Sequence, residues 1–296
     1  MQGPHFPTPI TALLLVIGAW LATLFTMLLG VSLVIDPSDP VASLDPGFQW
    51  IAQALGFGLV GTLAARRLPG PQAERVGLIP LRSRYWLIVA MGIPAAIVAS
   101  ELDNWLAAWM PPADPEAFQE ALTQLRALSS LAIAQAAIFQ LGIEPVVTEF
   151  LFRGVIQQGM IAYLGRFRGV AVTAVLSVAL PSALAINSSA GATVIISLLL
   201  GLGLGYLRVG TGSLLAPILV RATWNAMALF GVVFADQFPV PGFNTFGEHT
   251  DPVLFAACLA CVTWGGLELK RAAAAQPEVL PIVEEPEPED EEDGFF

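Results

Sequence analysis

Charge is scarce in this chain. Only 12% of its 296 residues are Asp, Glu, Lys or Arg, about half the fraction usual in soluble domains. Histidine and cysteine are scarcer still, at two residues each. His5 and His249 cannot supply a His-rich metal centre, and thirteen scattered Lys and Arg residues form no patch dense enough to bind nucleic acid. Cys258 and Cys261 stand three apart inside an apolar run, with no second ligand pair and no loop between them. They read as buried small thiols in a membrane helix rather than a redox or zinc motif. No metal and no cofactor is therefore expected.

Hydrophobic residues make up 55% of the chain, and its mean hydropathy is +0.70. The net charge of −11 is mostly local, because residues 275–296 hold nine acids and no base. The remaining fifteen acids nearly balance thirteen bases. These proportions exclude an ordinary soluble protein and predict an all-α, polytopic membrane helix bundle whose first partner is the lipid bilayer.

A spanning helix needs roughly 20 mostly apolar residues. Such runs lie near 10–35, 48–65, 85–100, 127–152, 169–187, 192–207, 213–235 and 252–269, predicting about eight spans. The first has no preceding base and no clear cleavage site, so it reads as a retained helix. Basic residues favour cytoplasmic loops. Arg66, Arg67, Arg75, Arg82 and Arg84 follow the second run; Arg166 and Arg168 follow the fourth, Arg208 the sixth, and Lys270 and Arg271 the eighth. Segments 36–47 and 236–251 have no Lys or Arg, and 109–126 has only Arg126. This alternation predicts a bacterial-type inner-membrane protein with both termini in the cytoplasm. It divides into a two-helix region at 1–84, a core at 85–271 and an acidic, disordered tail at 272–296. Residues 114–125 predict an amphipathic interfacial helix, capped by Asp114 and started by Pro115, with Phe118, Leu122 and Leu125 on one face. Gly201 and Gly205 predict close helix packing.

Polar residues at membrane depth are functional candidates by default. The fourth run holds Glu144, Thr148, Glu149 and Arg153, the fifth Ser182 and Asn187, and the seventh Arg221 and Asn225. Glu149 and Arg153 are one turn apart in the favourable acid-first order, and Arg221 and Asn225 share a face. Pro145 is expected to bend or break the fourth span just before these groups.

Glu144-Pro145-Val-Val-Thr148-Glu149-Phe-Leu-Phe152-Arg153-Gly154 resembles the first motif of the CPBP family, the CAAX prenyl endopeptidases and Abi-type bacteriocin-processing and immunity proteins. That motif normally reads Pro-x-x-Glu-Glu-x-x-Phe-Arg-Gly. Gly205-Tyr206, then Thr-Gly212-Ser213-Leu-Leu-Ala216-Pro217, then Arg221-Ala-Thr-Trp-Asn225, is similar to the family's last motif region, where His-x-x-x-Asn is usual. The resemblance spans roughly residues 85–235. It implies an eight-helix fold and a site in which paired glutamates and histidines activate water for amide cleavage. The retained positions are Glu149, Arg153 and Asn225. Thr148 stands at the first glutamate, Arg221 at the last histidine, and Ser182 (or, less well placed, Asn187) at the histidine of span five.

A hydroxyl at 148 is no carboxylate base, and arginine neither takes a proton nor binds a metal at neutral pH. Glu144 is the substitute carboxylate, one turn before Thr148. Two arrangements follow. Either Glu149, Arg153 and Arg221 fill the former cavity with Glu144, or Arg153 pairs with Glu149 while Arg221 snorkels to the interface. The leading reading is a catalytically impaired homologue, a pseudoenzyme that binds a membrane-protein or lipidated-protein partner. The alternatives are an active, divergent endopeptidase using Glu149, with Glu144 as a second carboxylate and Asn225 as an oxyanion donor, and a transporter-like protein.

Overall fold

A computed structural model describes residues 5–34, 46–110, 115–184, 191–245 and 248–276. The expected cap at Asp114, the weaker alternative at Asn187 and the acidic tail beyond 276 lie outside the described residues. The described chain is helical: α1 (Pro9–Val34), α2 (Pro46–Ala65), α3 (Gln72–Val76), α4 (Trp86–Ala90), α5 (Gly92–Trp109), α6 (Pro115–Arg126), α7 (Ser130–Ala137), α8 (Glu144–Glu149), α9 (Gln157–Leu164), α10 (Arg166–Leu184), α11 (Gly191–Thr211), α12 (Leu215–Val233) and α13 (Pro252–Ala274). Two π-helical segments, Ile138–Ile143 and Phe150–Ile156, join α7 through α9 into one 35-residue span, Ser130–Leu164.

Seven helices among the described residues are long and apolar enough to cross a membrane. They account for every expected run except 169–187. That run coincides with α10 as far as Leu184, and its remainder is outside the described residues. A β-carbon built on Gly201 would lie 3.2 Å from Ala174 Cβ, and one on Gly205 2.7 Å from Val170 Cγ1. The pairing falls on α10 as it rises on α11, so the two helices run antiparallel. α10 packs along α11 but is not one of the seven helices long and apolar enough to cross a membrane. Gly205→Val should overpack this contact and lower stability by about 1–3 kcal/mol. Gly203→Val is the control, since its β-carbon would meet nothing within 4 Å. Thermal melting in detergent separates the two, and equal melting curves would refute the packing role.

Side-chain contacts show which connections share an end of the bundle. The His5 ring lies 6.2 Å from that of Tyr163. Leu214 N–H donates to Gly77 O over 2.7 Å, Ser213 to Ile79 O over 2.6 Å, and Arg208 to Arg75 O over 3.1 Å. Arg166 donates to Ala273 O and Gln276 O. Both described chain ends and the basic connections therefore meet at one end. At the other, Ser100 and Asn104 donate to Gly242 O over 2.9 and 2.7 Å. Thr250 N–H donates to Glu101 over 2.8 Å, and Glu101 is also 2.7 Å from His249 Nδ1.

The amphipathic helix appears as α6, with Leu122 buried and Leu125 40% exposed. Cys258 is buried but Cys261 faces outward, so the two thiols differ in surroundings despite their helical spacing. Packing around the long fourth span positions the site. Leu151, Phe152, Ile156 and Met160 lock against α1 and Phe57 of α2, while Val155 and Leu214 join Ala64, Leu68 and Val76. On the far side Leu204 and Leu207 meet Ala216 and Val220. The chain from Glu144 to Gln157 is thus held between α2, α11 and α12.

Candidate functional site

The local geometry begins with Pro145. The fourth span does not break there, because the π segment before it widens the turn. Glu144 N–H donates to Phe139 O, five residues back. Pro145 has no N–H to continue that pattern to Gln140 O. Asn225 Nδ2, from the neighbouring α12, donates to this carbonyl instead, over 2.8 Å. An interhelix side chain repairs the backbone that proline interrupts, a role the sequence reading did not assign to Asn225.

The same amide donates to Glu144 Oε2 over 2.9 Å. Glu144 is buried and densely held: Arg221 Nε lies 2.9 and 3.0 Å from its two oxygens, Arg221 Nη2 2.6 Å from Oε1, and Thr148 donates to Oε1 over 3.0 Å. Arg221 Nη1 reaches Glu149 Oε1 at 3.3 Å. Glu149 is fully buried, and its Oε2 stands 3.2 Å from Arg153 Nε. That contact is ionic rather than a well-aligned hydrogen bond. Arg153, 1% exposed, donates through Nη2 to Gly201 O over 3.0 Å. One turn on, Gln157 donates to Gly205 O over 2.8 Å. Glycine at 201 and 205 thus serves both helix approach and access to these carbonyls.

The structure therefore brings Glu144, Thr148, Glu149, Arg153, Arg221 and Asn225 together. Ser182 lies in α10, but its side chain is outside the described residues. Arg221 does not snorkel away. Its main partner is Glu144 rather than Glu149, because the carboxylate five residues earlier presents both oxygens to the guanidinium edge. Two carboxylates face two guanidinium groups, so the buried cluster is neutral, as charge at membrane depth requires. Gln140 and Gln157 were not singled out from sequence. Gln157 could have been found one turn beyond Arg153 on the same stripe; a role for Gln140 O is a backbone matter that residue identity does not show.

Chemically, both carboxylates are occupied, while Glu149 Oε2 and Arg153 Nη1 are buried without a hydrogen bond among the described residues. Both N–H groups of Asn225 are already donated, so neither is free for a developing oxyanion. Each carboxylate is engaged by a fixed cation, and no histidine reaches them among the described residues. These donors do not fit a divalent cation, which the Arg221 charge would repel. The arrangement suits holding two helices in register more than moving a proton.

Residues 130–227 match the family model described as type II CAAX prenyl endopeptidase Rce1-like. The matched stretch begins at α7 and ends two residues beyond Asn225. It bears out the resemblance carried by the two motif regions, over a shorter segment than expected from sequence. The chain is a multi-pass membrane protein with an Rce1-like, CAAX-protease-like segment, and the ion-paired cluster lies wholly inside that segment. Comparison with curated proteins and with solved structures gives no match.

Proposed function

We propose that this protein is a catalytically impaired CAAX-protease-like membrane protein that holds, without cleaving, a membrane-protein or lipidated-protein partner. One observation carries the reading: Arg221 grips Glu144 and also reaches Glu149, occupying both carboxylates where hydrolysis needs a base. Asn225, the remaining polar group of the family's last motif, is committed to Gln140 O and Glu144. Arg221 is the cluster's open side, with 24% of its side chain exposed, and this is where a partner would be met. The clustering of Arg66, Arg67, Arg82, Arg84, Arg166, Lys270 and Arg271 at the end that holds both described chain ends supports an inner-membrane orientation with that end in the cytoplasm.

A second reading, an active endopeptidase, draws on the proximity of Glu144 to Thr148, which brings a carboxylate within 3.0 Å of the hydroxyl at the first motif-glutamate position. A survey of protein termini decides between the two. Host cells carrying the wild-type gene are compared with cells carrying Glu149→Gln at matched protein levels. The inactive reading expects the same termini in both. Termini that vanish in the variant, and reappear when purified wild-type protein is added to the candidate substrate, would establish a peptidase.

A further inference from the structure

At the end of the bundle away from the chain termini, the last turns of α12 and the turn that follows enclose an open groove of about 400 Å³. Its walls are carbon: Met227 and Phe230 from α12 and Phe234 just after it, with Phe238, Val240 and Phe243 opposite. The turn's polar groups are already engaged. Asn244 donates to Phe238 O over 3.0 Å and accepts from Val240 N–H over 2.7 Å. Gly242 O accepts from Ser100 and Asn104, and Phe243 O accepts from Ser100 over 3.2 Å. Glu101 ties down the following residues, His249 and Thr250. The wall is therefore preformed and offers an occupant apolar contact with little to bond a peptide backbone, which suits a hydrocarbon chain.

The charges beside the groove select the head that such a chain carries. Asp236 sits in sequence between Phe234 and Phe238, and its Oδ1 is 4.0 Å from Arg126 Nη1. This separation is the outer limit of an ion pair, and the two side chains are 81% and 37% exposed. Glu116, Glu120, Glu248 and Asp251 are exposed at the same end, where Arg126 is the one Lys or Arg among the described residues and His249 is held by Glu101. We propose that the groove binds one acyl chain of a zwitterionic, amine-bearing phospholipid, with the ammonium on Asp236 and the phosphate on Arg126. A headgroup with net negative charge would meet the surrounding acids without an ammonium to offset them. The site is separate from the ion-paired cluster and does not depend on whether that cluster is catalytic.

The test uses the full chain, delipidated in detergent and incubated with either dioleoyl-phosphatidylethanolamine or dioleoyl-phosphatidylglycerol. Lipid retained through gel filtration is quantified by mass spectrometry. Wild type should retain the ethanolamine lipid in preference. Arg126→Gln and Asp236→Asn should each cut that retention about threefold to fivefold, the scale of one exposed charge interaction. Phe238→Ser should lower retention of either lipid. All three positions are on the surface, so unchanged melting curves are expected and serve as the folding check. Equal retention of both lipids by wild type and every variant would mean annular lipid only and overturn the proposal. Absence of retained lipid together with a dimeric elution volume would overturn it in favour of a second copy of the chain.

Discussion

Glu149→Gln is expected to destabilise the detergent-solubilised protein by about 3–5 kcal/mol, the usual cost of removing one partner from a buried ion pair. Glu149 has no exposed surface, and its two oxygens face Arg221 at 3.3 Å and Arg153 at 3.2 Å. Its neutralisation leaves Arg153 charged and buried beside an amide. The double variant Glu149→Gln with Arg153→Met removes the stranded cation and should recover part of the loss, because a buried pair replaced by apolar groups is often close to neutral. Thermal melting of the three proteins reads this directly. A single variant that melts with wild type would refute the ion-paired cluster.

Asn225→Leu is expected to cost about 2–4 kcal/mol, since it strips donors from two buried acceptors at once. Gln140 O loses the substitute for the N–H that Pro145 lacks, and Glu144 Oε2 loses its amide contact. Asn225→Asp should be worse, placing a third carboxylate against Glu144. Thr223→Val is the control: it is on the same helix, and among the described residues its hydroxyl bonds to Leu219 O alone, one turn back. If Asn225→Leu melted like Thr223→Val, the bridging role would be wrong.

Much of this architecture is legible in residue types. Long apolar runs separated by arginines locate the spans, because nothing but a membrane tolerates so little charge. Helical spacing places Glu149 with Arg153 and Arg221 with Asn225, since a turn is a local property. The remainder depends on what lies across helix interfaces. Pro145 was expected to bend or break its helix, yet the π segment before it and the Asn225 amide let the helix continue. That outcome depends on which residue α12 presents at that height, and periodicity within one helix cannot supply it. The preference of Arg221 for Glu144 is likewise set by the relative height of two helices. The apolar groove is not legible in sequence because its Phe residues are indistinguishable there from lipid-facing ones. Only the bonds from Ser100 and Asn104 to the opposite turn make them a wall.

The neutrality of the buried foursome also restricts the order in which its members can change. Of the three motif positions that differ from the pattern this chain resembles, two belong to this cluster, where a glutamate is usual at 148 and a histidine at 221. Arg221→His alone would leave two carboxylates facing the single guanidinium of Arg153. Thr148→Glu alone would add a third carboxylate within reach of Glu144. Both together would set three acids against one fixed cation, so Glu144 would have to give up its charge as well. Each single change therefore carries a cost, either an unpaired buried charge or a carboxylate forced to take up a proton. Charge balance in a water-poor interior thus couples positions 144, 148, 149, 153 and 221, so that a change at one is best tolerated with a compensating change at another.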